Sequence, residues 1–102
     1  MEIITESFGL MEDGPMAHLY TMKNDGGMEV SVSDYGAVLV RVIVPDRAGN
    51  PVDCVLGYDD VEGYIHNAGS IGCFVGRNAN RIGGARVTIG GKVYELEKNA
   101  WR

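Results

Sequence analysis

The sequence lacks both an excess of basic residues and any long hydrophobic run. Nine Lys and Arg residues against 14 Asp and Glu residues give its 102 residues a net charge of −5. Nucleic-acid binders normally present a basic patch, so we expect no nucleic-acid partner. No stretch approaches the roughly 18 apolar residues of a membrane span, and residues 1–6 lack the features of a signal peptide. We therefore expect a cytoplasmic protein without a membrane partner, whose ligand is small and mostly neutral.

Cysteine and histidine are also scarce, with two residues of each type. Cys54 and Cys73 have no Cys-x-x-Cys spacing and no histidine nearby in sequence, so we interpret them as small buried residues in a reducing cytoplasm. His18 and His66 each stand alone, which predicts neither a metal site nor a catalytic role for either. The sequence also contains no GxSxG elbow, Walker loop or dinucleotide-binding fingerprint. It therefore offers no evident acid–base pair for catalysis.

Glycine is abundant whereas proline is scarce, with 15 and three residues respectively, and the glycines fall between short apolar runs. This pattern predicts one domain of short strands joined by tight turns. A turn at residues 23–27 separates strands expected at residues 17–22 and 28–33. Residues 38–44 are nearly all apolar and predict a strand that is buried on both faces. The fold class is therefore predicted to be all-β, with antiparallel strands.

The middle of the chain predicts a second turn and one helical turn. Residues 45–51 contain Pro, Asp, Gly and Asn and favour a turn, after which residues 52–56 resume the extended pattern. Residues 58–65 favour a single helical turn capped by Asp59 or Asp60. We interpret these carboxylates as a solvated cluster at a helix start and not as a catalytic pair.

The dipeptide Gly90-Gly91 lies between two alternating runs and predicts a hairpin with a two-residue turn. The expected register pairs Ile89 with Lys92, Val87 with Tyr94 and Ala85 with Leu96 on one face, and Thr88 with Val93 and Arg86 with Glu95 on the other. A slip of one residue would bury two charged side chains, so this register is self-consistent.

The most informative segment is residues 75–82, which holds two guanidinium groups and two carboxamides between apolar residues that predict buried strand. Arginine is a planar fork of donors, whereas asparagine both donates and accepts, so together they suit the neighbouring hydroxyls of a sugar. On residue chemistry alone, a structural turn in which Arg81 pairs with an acidic neighbour remains open. Alternation places Arg77 on a different face from Asn80 and Arg81.

In their order and spacing, five short motifs of this sequence resemble the N-terminal part of the aldose 1-epimerase (galactose mutarotase) family. The resemblance spans about residues 31–99, and its most specific part is the Gly-Arg-x-x-Asn-Arg-Ile pattern. The motifs are Asp34-Tyr35-Gly36-Ala37, Val44-Pro45-Asp46-Arg47-Ala48-Gly49, Val55-Leu56-Gly57-Tyr58-Asp59, Gly76-Arg77-Asn78-Ala79-Asn80-Arg81-Ile82 and Gly91-Lys92-Val93-Tyr94-Glu95-Leu96-Glu97-Lys98-Asn99.

The resemblance implies a large antiparallel β-sandwich with a sugar-binding cleft, of which residues 1–102 form the N-terminal part. It implies interconversion of the α and β anomers of free hexoses such as glucose or galactose, without a cofactor or metal. In such enzymes a glutamate removes the proton of the C1 hydroxyl while a histidine protonates the ring oxygen. The resemblance makes Asn80 and Arg81 substrate-binding residues. His18 and His66 match neither family histidine, so no catalytic residue is expected within this stretch.

The end of the sequence leads us to expect an incomplete domain, because Trp101 follows a predicted strand with nothing downstream to cover it. The chain also stops a few residues before the family's Leu-His-Gly-Gly motif. Two alternatives stay open. One is a carbohydrate-binding or regulatory protein of the same fold without catalysis. The other is a free-standing β domain that self-associates through its exposed strand edges.

Overall fold

The computed structural model describes residues 1–67 and 69–98, and it confirms the predicted all-β class. A five-stranded antiparallel sheet follows chain order, and a separate two-stranded hairpin ends the described chain. The strands are β1 (Glu2–Leu10), β2 (Met16–Lys23), β3 (Glu29–Ser33), β4 (Leu39–Pro45), β5 (Pro51–Asp53), β6 (Arg86–Ile89) and β7 (Lys92–Glu95). The helix α1 spans Val61–Ile65, and a 3₁₀ turn spans Gly83–Ala85. The interpretation that concerns Trp101 falls outside the described residues.

Asparagine and aspartate side chains shape the first two predicted turns, which are both confirmed. The Asn24 side-chain oxygen accepts hydrogen bonds from the amides of Gly26 and Met28, at 3.0 and 2.9 Å. The Asp46 carboxylate accepts in the same way from the amides of Ala48 and Asn50, at 2.9 and 2.8 Å. Each side-chain oxygen thus accepts the hydrogen bonds of turn amides that lack a backbone acceptor. The closed turn then sets the register of the two flanking strands.

The strand β1 is absent from the sequence predictions, although it is the longest strand of the sheet. Its pairing with β2 shifts between Ser7 and Gly9, so Phe8 is an extra residue in a bulge. A second bulge makes Val40 the extra residue of β4 opposite β3. Both side chains are buried in the core, at 4% and 1% exposure. A bulge reorients its side chain in this way and interrupts the two-residue alternation by which a strand is recognised.

The core lies against one face of the sheet and is completed by α1. It consists of Phe8, Ala17, Leu19, Val38, Val40, Val61 and Tyr64. The predicted helical turn is confirmed, since the Asp60 carboxylate caps α1 and accepts from the amide of Gly63 at 3.4 Å. The Tyr64 ring packs edge-on against Tyr58, with 5.0 Å between the ring centroids. Its hydroxyl also accepts from the Tyr58 amide at 3.0 Å, which fixes the chain just before the helix.

Burial of β4 on both faces is not what the structure shows. Val40 is buried, but Val42, Ile43 and Val44 are only half-buried. The apolar run therefore predicts the strand correctly and its burial wrongly, since only one face of the sheet carries a covering layer in the described chain. The expected extension at residues 52–56 is also too long, because β5 ends at Asp53.

The two cysteines correct a second prediction. Both Cys54 and Cys73 are free and exposed, whereas buried thiols were expected. Cys54 follows the three-residue edge strand β5, and Cys73 begins an exposed segment, so neither position lies inside the core. Among the described helices, none is long and apolar enough to cross a membrane.

The C-terminal hairpin is confirmed in its predicted register. β6 and β7 pair Arg86 with Glu95, Val87 with Tyr94, Thr88 with Val93 and Ile89 with Lys92. The amide of Leu96 donates to the carbonyl of Ala85 at 2.7 Å, which extends the pairing by one position. Gly90 and Gly91 have φ values of 58° and 81°, as a type I′ turn requires. The Arg86–Glu95 ion pair, at 3.8 Å, is exposed and adds little stability.

A clamp between His18 and Asp34 joins β2 to the loop after β3. The His18 amide donates to the Asp34 carboxylate at 2.8 Å, and the His18 Nδ1 lies 3.2 Å from the second carboxylate oxygen. The hydrogen bond from that amide lowers the pKa of the Asp34 carboxyl below its usual value of 3.8, partial burial opposes this shift, and the His18 ring strengthens it. His18 thus contributes a structural contact between β2 and this loop.

The clamp predicts a pH-dependent loss of stability in the variant Asp34→Asn. A lowered pKa in the folded state stabilises the fold above about pH 3.8, and this contribution disappears as the pH falls through the folded value. We expect Asp34→Asn to be modestly less stable than the unmodified protein at pH 7, because the carboxylate is 40% exposed. The difference should shrink below about pH 3.8. Urea unfolding from pH 7 to 2.5 measures it, and an equal difference at both ends contradicts the assignment.

Candidate functional site

The segment that contains Asn80 and Arg81 begins at a fixed point on β4. The amide of Leu39 donates to the carbonyl of Gly72 at 2.8 Å, so the chain is bonded to the sheet where the segment starts. Gly72 has a φ of +71°, and a Cβ atom at this residue would overlap the Leu39 carbonyl oxygen. Only glycine combines this backbone conformation with this close approach. The sequence pattern gives no sign of this role of Gly72, which is to fix where the segment leaves the sheet.

A loop held by Asn67 leads into that fixed point. The Asn67 side chain donates to the carbonyl of Ile71 at 2.7 Å and accepts from the amide of Ile71 at 3.0 Å. The amide of Cys73 then donates to the carbonyl of Ser70 at 3.2 Å. The composition of this stretch predicts a loop. It does not predict these hydrogen bonds, because they depend on which backbone groups the Asn67 side chain reaches. They tie Asn67 to Ile71, directly before the segment begins.

The segment from Cys73 to Arg81 is exposed along its whole length, which corrects the expectation of buried strand around it. Val75, the first of the apolar residues that predicted such strand, is 67% exposed, and Ile82 is 42% exposed. Neither belongs to a strand, so the alternation argument that separated Arg77 from its neighbours does not apply. After Ile82 the 3₁₀ turn leads directly into β6. The segment therefore bridges the five-stranded sheet and the hairpin.

Asn80 and Arg81 lie near the end of this bridge, and both are exposed to solvent. Asn80 adopts a left-handed backbone conformation with a φ of 67°, which asparagine tolerates better than most residues. An amide and a guanidinium thus follow one another on a stretch of chain that has no regular structure. Such a pair can donate hydrogen bonds to several oxygens and accept one in return. Sugar contact by these two residues stays a prediction.

The five-stranded sheet has a depression on its surface, but it is lined by residues other than Asn80 and Arg81. This charged depression has a volume of about 150 Å³ and is lined by Ile4, Glu6, Thr21, Lys23, Glu29 and Arg41. Lys23 and Glu29 form an ion pair across it at 3.5 Å. Thr21 lines the depression, and its hydroxyl and that of Ser31 hydrogen-bond to each other at 2.8 Å, so these buried groups are satisfied. The depression does not include Asn80 or Arg81.

The second histidine pairs with a carboxylate on the exposed surface of α1. His66 Nε2 lies 3.2 Å from a carboxylate oxygen of Glu62, one turn earlier on α1, and its amide donates to the carbonyl of that residue. Across residues 1–67 and 69–98, His, Cys, Asp and Glu side chains nowhere form a group of three that could hold a metal ion. In this part of the protein the candidate site is the Asn80 amide and the Arg81 guanidinium on the segment anchored at Gly72.

Comparison with known proteins matches the chain to one family over most of its length. A family model described as aldose 1-epimerase matches residues 18–100. The galactose mutarotase of Mus musculus is 37% identical over 90 residues, which cover 88% of this chain and 26% of the mouse protein. The aldose 1-epimerase of Escherichia coli K12 is 34% identical over 94 residues, which cover 92% of this chain and 27% of the bacterial protein.

A third relative extends the match to almost the whole chain. The aldose 1-epimerase of Streptococcus thermophilus is 34% identical over 99 residues, which cover 97% of this chain and 28% of that protein. The chain therefore spans about a quarter of the length of the curated relatives that it matches. Asn80 and Arg81 lie inside the region that the family model matches.

The anchoring of the segment predicts unequal effects of two Gly→Ala substitutions. Gly72→Ala introduces a side chain into a left-handed backbone position and against the Leu39 carbonyl, so it should destabilise the protein by more than about 1–2 kcal/mol. Gly83→Ala is the matched control, because a Cβ atom there meets no atom within 4 Å. The control should stay within about 0.5 kcal/mol of the unmodified protein. Urea unfolding compares the two, and equal stabilities would show that the contact at Gly72 fixes nothing.

Proposed function

Because this chain belongs to the aldose 1-epimerase family, we propose that it is the N-terminal part of an enzyme that interconverts the α and β anomers of free hexoses such as glucose and galactose. The observation that carries the proposal is the Asn80–Arg81 pair, which lies within the matched region on a segment anchored at Gly72. In this proposal residues 1–102 supply one wall of the sugar site in a single β-sandwich domain. The rest of the site belongs to the remainder of that domain.

The pair suits a pyranose because each sugar hydroxyl both donates and accepts hydrogen bonds. Arg81 donates through a rigid fork that can contact the oxygens of two neighbouring hydroxyls. The Asn80 amide donates through its nitrogen and accepts through its oxygen, so it can complete the bonding of one hydroxyl. An adjacent amide and guanidinium therefore recognise an array of hydroxyls, and they do so without a negative charge on the ligand.

The reaction requires a general base and a general acid, which we place outside residues 1–102. A glutamate removes the proton of the C1 hydroxyl as a histidine protonates the ring oxygen, and the C1–O5 bond breaks. Rotation about the C1–C2 bond exposes the other face of the carbonyl, and reclosure with reversed proton transfers inverts the anomeric centre. His18 and His66 are engaged with Asp34 and Glu62, which supports a structural and not a catalytic role for both.

The shape of the described chain supports its assignment to a larger domain. Its radius of gyration is 17.8 Å, whereas a compact domain of this length has one of about 13 Å. The hairpin and the exposed segment account for this elongation, because they extend from the five-stranded sheet as a separate element. We also propose a cytoplasmic location, in which two free thiols persist in the reduced state.

A carbohydrate-binding protein without catalysis is the second candidate function. It is favoured by the fact that the described residues carry an amide and a guanidinium suited to sugar hydroxyls, while both histidines lie beside carboxylates. The two candidates differ in the remainder of the domain. A glutamate and a histidine that converge on the sugar C1 and ring oxygen favour turnover, and the absence of that glutamate favours binding alone.

The optical rotation of freshly dissolved α-D-glucose tests the proposed division of roles. We expect the full-length protein to accelerate mutarotation and the 102-residue chain to leave the buffer rate unchanged. Loss of one catalytic acid or base typically costs about 10²–10⁴-fold, and loss of both removes the mechanism. Acceleration by the short chain would refute the placement of the catalytic groups, and an inactive full-length protein that binds glucose would favour the second candidate.

Substitution of Arg81 in the full-length protein tests the sugar contact. Arg81→Ala should weaken hexose binding by about 1.5–3 kcal/mol, as expected for hydrogen bonds from a charged group, which corresponds to roughly 10- to 100-fold in Kd. Arg47→Ala is the matched control, because Arg47 is exposed in the turn between β4 and β5. Calorimetric titration with galactose gives Kd, and circular dichroism verifies the fold. Unchanged binding in a folded Arg81→Ala variant would assign Arg81 to the structure alone.

A further inference from the structure

The Asn67 side chain satisfies both main-chain polar groups of Ile71, as a neighbouring strand would. Its Nδ2 donates to the Ile71 carbonyl at 2.7 Å, and its Oδ1 accepts from the Ile71 amide at 3.0 Å, in a half-buried position. A carboxamide donates and accepts side by side without carrying a charge, which few other side chains can do. We name these two hydrogen bonds the Asn67 brace.

The brace joins the helix α1 to the residue that precedes Gly72. The Asn67 amide donates to the Tyr64 carbonyl at 3.4 Å, and Tyr64 is buried in the core. At the other end, Ile71 is followed by Gly72, whose carbonyl accepts from the Leu39 amide on β4 at 2.8 Å. The brace therefore connects two places at which the chain is fixed to the rest of the protein.

Cys73, the first residue of the exposed segment, is bonded to the same loop. Its amide donates to the Ser70 carbonyl at 3.2 Å, and its Sγ lies 3.8 Å from the Asn67 nitrogen that also donates to Ile71. The contact of Gly72 with β4 thus determines where the segment leaves the sheet. The loop that the brace holds determines the direction in which it leaves.

The backbone of Ser70 makes this loop depend on the brace. Ser70 adopts a left-handed conformation with a φ of 54°, which is unfavourable for a residue with a Cβ atom. Such a conformation persists only where the surrounding contacts hold it. Without the brace, we expect the loop to relax and the segment to leave Gly72 in several directions.

We propose that Asn67 is a positioning residue for the sugar site, because its carboxamide holds the segment in the direction in which Asn80 and Arg81 contact a hexose. The inference rests on the function proposed above, and Asn67 itself does not touch the sugar. Hydrogen bonds weaken steeply outside donor–acceptor distances of about 2.7–3.2 Å, so only a narrow range of directions permits binding. If about a tenth of the molecules keep that direction, the apparent Kd rises about tenfold.

Asn67→Ala and Asn67→Asp in the full-length protein test this inference. Alanine removes both bonds of the brace, whereas aspartate keeps the acceptor and places a charge opposite the Ile71 carbonyl. Asn24→Ala is the matched control, since it also removes two hydrogen bonds between an asparagine and main-chain groups, but in the turn between β2 and β3. We expect calorimetric titration with galactose to give a Kd about 5- to 20-fold higher for both Asn67 variants and within about twofold for the control. An unchanged Kd in folded Asn67→Ala, or an equal increase in the control, overturns the proposal.

A double-mutant cycle with Arg81→Ala separates positioning from a general loss of stability. If Asn67 acts on the sugar through the segment, the two substitutions are coupled and their effects do not add. Asn67→Ala should then raise the Kd less than about threefold in the Arg81→Ala background. The same increase in both backgrounds would show that Asn67 acts by another route, and this result also overturns the proposal.

Amide hydrogen exchange distinguishes failure of this inference from failure of the proposed function, because it needs no sugar. In Asn67→Ala we expect the amides of Ile71 and Cys73 to exchange at least about tenfold faster than in the unmodified protein, as expected when local opening is easier. The amide of Asn24, which donates to the Met28 carbonyl, should be unchanged. Unchanged exchange at Ile71 and Cys73 overturns the inference. Faster exchange in a protein whose unmodified form binds no hexose refutes the proposed function instead.

Discussion

The close approach of two glycines to β4 is the constraint on which the candidate site depends. A Cβ atom on Gly57 would lie 2.5 Å from the Val40 carbonyl oxygen, and a Cβ atom on Gly72 would overlap the carbonyl of Leu39. The chain between these residues contains α1 and the loop held by Asn67, so both ends of this stretch are tied to one strand. The exposed segment that follows therefore leaves the sheet at a fixed position and in a fixed direction. Without that fixed start, an exposed stretch of nine residues would have no preferred position for its polar groups.

One face of the sheet has two different parts: the part beneath α1 is apolar and buried, and the part farther along carries charged side chains. Bulges at Phe8 and Val40 direct two extra side chains toward α1, so the small core receives apolar groups that regular alternation would send elsewhere. Farther along the same face, the Thr21–Ser31 hydrogen bond lets two buried hydroxyls underlie a charged surface without an unsatisfied group. The core and the charged depression therefore lie on the same face of the sheet.

Local chemistry predicted the turns and the hairpin, because short-range hydrogen bonds determine them. Asn24 and Asp46 satisfy the backbone of their own turns, Asp60 caps α1, and Gly90-Gly91 adopts the positive φ values that its hairpin needs. The strand β1 and the burial of β4 could not be predicted in the same way, since a bulge interrupts alternation and burial depends on which layers are present. For the site, the sequence identified Asn80 and Arg81 as neighbours. It did not reveal Gly72 and Asn67 as the residues that position them. Gly72 contacts a strand that is distant in sequence, and a sequence does not show which backbone groups the Asn67 side chain reaches.

The backbone at Asn80 bears on why an asparagine stands beside Arg81. A left-handed conformation is most easily adopted by glycine, and this chain uses glycine freely at such positions, as at Gly72, Gly84 and Gly90. At Asn80 it uses instead the residue that tolerates the conformation while retaining a side chain with a donor and an acceptor. Ala37, Ser70 and Ala85 also adopt positive φ values in this chain, so the conformation does not by itself require glycine. Asn80 therefore combines this conformation with a donor and an acceptor, and the adjacent guanidinium adds the further donors that the proposed sugar contact would engage.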